Sequence, residues 1–114
     1  MQSALPPASY DSPMKLNGLD IPDAKLADFC QRWKVSELAL FGSVLREDFG
    51  PDSDVDVLIE LVPGHGLGLY EVIDMEQELR GIFGRDVDLV TKGGLRNPFR
   101  RHEILSTRQV VYAA

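Results

Sequence analysis

Residues 54–61, Asp-Val-Asp-Val-Leu-Ile-Glu-Leu, alternate with a period of two. Val55, Val57, Ile59 and Leu61 fall on one face, and Asp54, Asp56, Leu58 and Glu60 on the other. That pattern predicts a strand with one buried and one polar face. It is the clearest strand of the chain. Arg85–Val90 repeats the alternation, with Val87 and Leu89 opposite Asp86 and Asp88.

The intervening segment has a different period. Leu69, Val72, Ile73, Met75, Leu79, Ile82 and Phe83 recur at about 3.6 residues, predicting a helix from Gly68 to Phe83 that Gly84 stops. Upstream, Asp23 is placed as the N-cap of a helix reaching Lys34, with Leu26, Phe29, Cys30 and Trp33 facing the core. Leu38–Phe41 reads as a buried strand closed by Gly42, followed by a short helix over Ser43–Phe49 and a turn over Gly50–Ser53. Downstream lie a turn at Gly93-Gly94, a helix over Phe99–Ser106 and a last strand over Gln109–Tyr112. The order is α, β, α, β, α, β, α, β within a single domain spanning residues 23–114. Residues 1–22, with Pro6, Pro7 and Pro13 among small polar residues, read as a flexible arm.

Composition narrows the function. The 114 residues suit one domain. Eighteen acidic residues against 12 Lys and Arg leave a net charge of −6, which disfavours a direct nucleic-acid partner. No apolar run reaches the roughly 18 residues of a membrane span, and no apolar signal-peptide centre precedes Met14. Cys30 is the sole cysteine, so an intrachain disulfide and a zinc knuckle are both excluded. It lies in the apolar stripe of its helix and reads as a small buried hydrophobe. A cytoplasmic setting is expected.

The acidic residues are unevenly placed. Glu47, Asp48, Asp52, Asp54, Asp56 and Glu60 crowd residues 47–60, which contain no basic residue. Like charges this close repel, and a divalent cation is the usual compensation. Asp54 and Asp56 leave one face of their strand with Cα atoms about 6.5 Å apart, a spacing that lets both converge on a hard cation. Asp86 or Asp88 on the next acidic strand supplies a third carboxylate. Such a set suits a two-Mg²⁺ phosphoryl- or nucleotidyl-transfer site. Gly42-Ser43, directly after a strand, forms the other half: glycine admits a close phosphate, and serine adds a hydroxyl to free N–H groups.

Two further motifs carry less. Gly64-His65-Gly66-Leu67-Gly68 lacks the lysine of a phosphate-binding P-loop and reads as a connection. Neither His65 nor His102 falls in a hydrolase motif, so Ser43 is not a nucleophile. Lys92, Arg96, Arg100, Arg101 and Arg108 make the C-terminal quarter basic, a surface able to approach a triphosphate or an acidic partner.

Phe41-Gly42-Ser43, ten further residues, then Asp54-Val55-Asp56-Val57-Leu58 resembles the signature of the polymerase-β-like nucleotidyltransferases. Gly84-Arg85-Asp86-Val87-Asp88-Leu89-Val90 and Val110-Val111-Tyr112 extend the resemblance over about residues 24–112, closest to the minimal (MNT-type) antitoxins of HEPN/MNT toxin–antitoxin pairs. The resemblance implies an α+β (mixed α/β) fold, a small mixed sheet flanked by helices. It implies that Asp54, Asp56 and Asp88 ligate Mg²⁺, with two ions, and that Asp88 helps to deprotonate the acceptor hydroxyl. It implies that Gly42, Ser43 and Arg46 hold the triphosphate of ATP, although Val44 stands where members commonly carry an arginine. Asp86 then becomes a rim charge. The implied reaction is transfer of AMP to a hydroxyl, a tyrosine's, of a HEPN ribonuclease toxin.

Two other functions fit parts of the pattern. A non-catalytic antitoxin would neutralise its toxin by occlusion and would tolerate Val44. A metal-dependent nuclease would also use clustered carboxylates, but the acidic surface and the Gly42-Ser43 cradle oppose it.

Overall fold

A computed structural model describes residues 14–114. Its elements run β1 (Met14–Leu16), β2 (Leu19–Ile21), α1 (Asp23–Arg32), β3 (Val35–Phe41), a 3-10 turn (Gly42–Leu45), β4 (Val55–Leu61), α2 (Leu69–Phe83), β5 (Val87–Thr91), a second 3-10 turn (Lys92–Gly94), α3 (Pro98–Thr107) and β6 (Gln109–Ala113). The main sheet has the order β5-β4-β3-β6. β3 is antiparallel to both of its neighbours, whereas β4 and β5 are parallel. A parallel pair needs a long crossover, and α2 provides it. The result is the α+β fold expected, a mixed sheet with helices on both sides.

The sheet separates two apolar layers. On one face Leu38, Leu40, Val55, Val57, Ile59 and Val87 pack against Leu26, Phe29 and Cys30 of α1 and Met75 and Leu79 of α2. On the other, Phe41 and Leu58 meet Leu95 and Ile104, the latter from α3. β3 is covered on both faces, which is why Leu38-Ala39-Leu40-Phe41 shows no alternation. β4 keeps its alternation because only its odd-numbered residues enter the larger layer.

The first correction concerns the arm. Residues 1–13 lie outside the described residues, but 14–21 form a β-hairpin where flexibility was expected. Its turn, Asn17-Gly18, has both φ angles positive (51° and 83°), and Asn-Gly is the pair that tolerates this most readily. Leu19 and Ile21 are 4% and 0% exposed and belong to the larger core layer. The prolines upstream had masked an Asn-Gly signal flanked by leucines.

Smaller corrections concern helix ends. Pro22, not Asp23, occupies the N-cap of α1; Asp23 is the first helical residue, where its charge favours the helix dipole. α1 stops at Arg32 because Lys34 turns left-handed (φ 60°). Ser43–Phe49 holds no α-helix, only the 3-10 turn Gly42–Leu45. Gly84 ends α2, and Asn97 caps α3 by accepting from the N–H groups of Phe99 and Arg100. Between α1 and α2, Glu78 accepts from Arg32 and from Trp33 Nε1 (2.9 Å), and these donors hold its carboxyl below the usual range.

Two measurements test this packing. Ile21→Ala should lower stability in urea by about 3 kcal/mol, as for other fully buried isoleucines, whereas Lys15→Ala should change it by less than about 0.5 kcal/mol because its pair with Asp20 is exposed. A loose arm would give no effect for either. Burial pushes the Cys30 thiol from its ordinary 9.0 up to about 12. Between those values the unfolded chain loses a proton that the folded chain keeps, so stability falls as pH rises above 9, by up to about 1.4 kcal/mol per pH unit. Cys30→Ala should flatten that alkaline decline relative to the parent.

Candidate active site

Three neighbouring strands bring the site together. Phe41, the last residue of β3, pairs with Asp56 on β4, and Asp56 pairs in parallel register with Asp88 on β5. Residues side by side in a ladder share a face, so Asp56 and Asp88 lie on the face of Leu58 and α3. Asp86 sits one step before β5, and its carbonyl accepts the N–H of Val55. The register therefore sets Asp88, not Asp86, beside Asp56. Asp54 precedes β4 and is exposed, as are Asp86 and Asp88, while Asp56 is half-buried.

Gly42 and Ser43 turn towards Asp56. The Ser43 backbone N–H and hydroxyl both lie 3.0 Å from Asp56 Oδ2, and the hydroxyl is 2.7 Å from the Asp54 carbonyl. The hydroxyl has one proton to share between these two acceptors. Gly42 has φ 63°, and a Cβ there would stand 2.5 Å from Asp56 Oδ2. Only glycine leaves room for the carboxylate. In this arrangement Ser43 orients the Asp56 carboxylate through its N–H and its hydroxyl.

No Lys or Arg forms an ion pair with Asp54, Asp56, Asp86 or Asp88 among the described residues. Nor do three acidic, His or Cys side chains among them stand close enough to hold a metal ion as placed. What the structure fixes is a set of carboxylate donors, hard oxygens on adjoining strands, that no lysine or arginine among the described residues pairs. The turn leading into Asp54 is itself fixed: Arg85 donates to the carbonyls of Gly50 (3.1 Å) and Ser53 (3.0 Å), and its guanidinium lies 5.0 Å from the centre of the Phe49 ring.

The arginine question resolves in the core. Val44 is fully buried in the larger layer, so this position is a packing residue. Arg46, exposed, pairs with Asp48 at 3.2 Å. It also lines a cavity of about 370 Å³ with Phe41, Gly42, Leu45, Arg100, Glu103, Ile104 and Thr107. This cavity adjoins Asp56 through Gly42 and Phe41, and Arg100 on α3 brings a second guanidinium to it. A larger cavity, about 550 Å³, opens at the far ends of β4 and β5 against His65, Thr91, Lys92 and Arg101. It touches none of the site carboxylates.

Sequence reasoning missed Asn17, whose Nδ2 donates to the carbonyls of Val44 (2.9 Å) and Arg46 (2.8 Å). It also treated Arg100 as one of five basic residues without distinction; only the turn of α3 towards the 3-10 turn singles it out.

Residues 24–111 match the nucleotidyltransferase domain family. The chain belongs to this family. It is 34% identical over 84 residues to the protein adenylyltransferase MntA of Thermococcus cleftensis, covering 72% of this chain and 78% of that protein. Solved folds agree. A toxin–antitoxin complex with AMP-PNP superposes with a TM-score of 0.66 at 18% identity, covering 82% of this chain and 75% of that one. A complex of a tri-AMPylated Shewanella oneidensis HEPN toxin with an MNT antitoxin gives 0.57 at 17% identity, covering 81% and 70%. This minimal nucleotidyltransferase thus has the fold its strand pattern and resemblance led us to expect. No helix among its described residues is long and apolar enough to cross a membrane.

Gly42→Ala tests the close approach. The added Cβ meets Asp56 Oδ2 and also suffers the left-handed backbone, so urea unfolding should show a loss of about 1–3 kcal/mol. A stability equal to the parent's would mean that Asp56 is free to swing away.

Proposed function

We propose that the chain transfers AMP from ATP to a hydroxyl of a HEPN-type toxin and acts as that toxin's antitoxin. The observation that carries this reading is the seat of Asp56, held by Ser43 and set in register beside Asp88. Likeness to a protein adenylyltransferase supports the donor and the reaction. Likeness in fold to toxin–antitoxin complexes supports the partner.

Asp54, Asp56 and Asp88 would hold Mg²⁺, two ions as the motif's resemblance to the polymerase-β-like nucleotidyltransferases implies. Bound there, the metal would neutralise the phosphates and make the acceptor hydroxyl more acidic. The remaining roles belong to the chain. Arg46 and Arg100, facing one cavity beside Gly42, hold the β- and γ-phosphates, so Arg100 supplies the charge that buried Val44 does not. Asp88, exposed, takes the proton of the acceptor hydroxyl. The acceptor oxygen bonds to the α-phosphorus, the bond to the bridging oxygen breaks, and pyrophosphate leaves with that oxygen. Ser43 keeps one oxygen of the Asp56 carboxylate fixed, while Asp54 and Asp88, both exposed, are the groups that would turn towards a metal. The catalytic domain extends over residues 23–114, and the hairpin of residues 14–21 adds Leu19 and Ile21 to its core.

The test uses ATP labelled at the α- or the γ-phosphate, with Mg²⁺ and a co-expressed HEPN toxin resolved on a gel. Label should reach the toxin from the α-position alone and fall at least about a hundredfold in Asp56→Asn. Label from neither position would overturn the reading. Neutralisation that survives Asp54→Asn with Asp56→Asn would assign the chain to occlusion.

A further inference from the structure

We infer that Asn17, at the tip of the N-terminal hairpin, is a positioning residue for the nucleotide-binding loop. The inference rests on the reading of Gly42–Arg46 as that loop. Asn17 donates from one amide nitrogen to two carbonyls, Val44 at 2.9 Å and Arg46 at 2.8 Å, across 27 and 29 residues of sequence. An amide NH₂ has two protons, so both bonds form at once. They fall at the end of the 3-10 turn, where the chain leaves the buried Val44 for the exposed Arg46. Within the turn the Arg46 N–H already donates to the Ser43 carbonyl (3.0 Å). Asn17 therefore closes a small network: Asn17 holds the carbonyls of Val44 and Arg46, the turn joins Arg46 to Ser43, and Ser43 holds Asp56.

The hairpin is built to deliver this amide. Asn17 has φ 51°, a conformation asparagine tolerates better than most residues, and Gly18 completes the turn. Leu19 and Ile21 anchor β2 in the core, so the tip stands on a fixed base. The side chain of Asn17 is exposed, and no other polar side chain among the described residues donates to the carbonyls of residues 44–46. Its contribution is to set where the Arg46 guanidinium emerges relative to Gly42 and Arg100, which share its cavity.

Two substitutions separate positioning from turn formation. Asn17→Gly removes both donors but accepts positive φ freely; Asn17→Ala removes the same donors and adds turn strain. MgATP affinity is measured by calorimetry without acceptor, and melting temperature alongside it. Both variants should bind MgATP roughly tenfold more weakly than the parent, as expected for losing two hydrogen bonds that order a loop. Asn17→Gly should melt slightly lower for the two lost bonds, and Asn17→Ala lower again for the added turn strain. In the label-transfer assay, Asn17→Gly should raise KM for ATP with kcat within about twofold, because Asp56 keeps its own contacts with Ser43. Affinity losses that track melting temperature, with Asn17→Gly binding as the parent does, would make Asn17 a turn former only and overturn the inference. A parent chain that binds no MgATP would overturn it too, and would distinguish itself by removing the nucleotide loop altogether.

Discussion

The contact between Ser43 and Asp56 sets the geometry of the site. It joins the end of β3 to the middle of the site on β4, and it exists only because Gly42 lacks a side chain. A carboxylate in water rotates among many orientations. Here one oxygen receives a backbone N–H and shares a hydroxyl, both at 3.0 Å, and its orientation is set before any ligand arrives. Charge-assisted bonds of this kind are among the stronger polar contacts in a folded chain. The Gly-Ser pair thus serves the acidic strand first, and any ligand meets a carboxylate already aimed.

Much of this was legible in the residues, for a definite reason. The odd-numbered apolar residues of β4 and β5 enter the larger apolar layer, and the alternation put Asp56 and Asp88 on the opposite side. Helix α2 was legible because its apolar stripe has a sheet to cover. The hairpin was missed because each of its strands is three residues long, too short for periodicity, and its only signal is Asn17-Gly18. The helix expected over Ser43–Phe49 was wrong because Val44 goes into the core and the backbone turns extended at Arg46 (φ −97°, ψ 156°). Neither choice shows in a local window. Alternation alone does not choose between Asp86 and Asp88; the motif's resemblance names Asp88, and the parallel register sets it beside Asp56.

The same limit applies to the arginines. The motif places its first arginine next to Gly-Ser, but Val44 is there and is fully buried. Arg100 reaches the cavity from α3, 54 positions later in the chain than Arg46. Position in a motif and position in space are different variables once a helix folds back over a sheet. An absent motif residue then says only that charge does not come from that point of the backbone.

The apolar layer also does part of the aiming. Asp54, Asp56, Asp86 and Asp88 gather without a basic partner among the described residues, and their repulsion favours any shift that spreads them. Sliding β4 by one residue along β3 would spread them, but it would turn Val55, Val57 and Ile59 out of the core and Asp56 into it. Three β-branched side chains, all at 0% exposure, oppose that slip at about 25 cal/mol for each Å² of apolar surface withdrawn from water. Asp56 lies on the far side of the same strand, Asp88 beside it on β5, and both inherit the register that the hydrophobic face enforces. Burial on one face of β4 holds that register against repulsion on the other, which is why Asp54 and Asp56 fall within the most regular hydrophobic pattern of the chain.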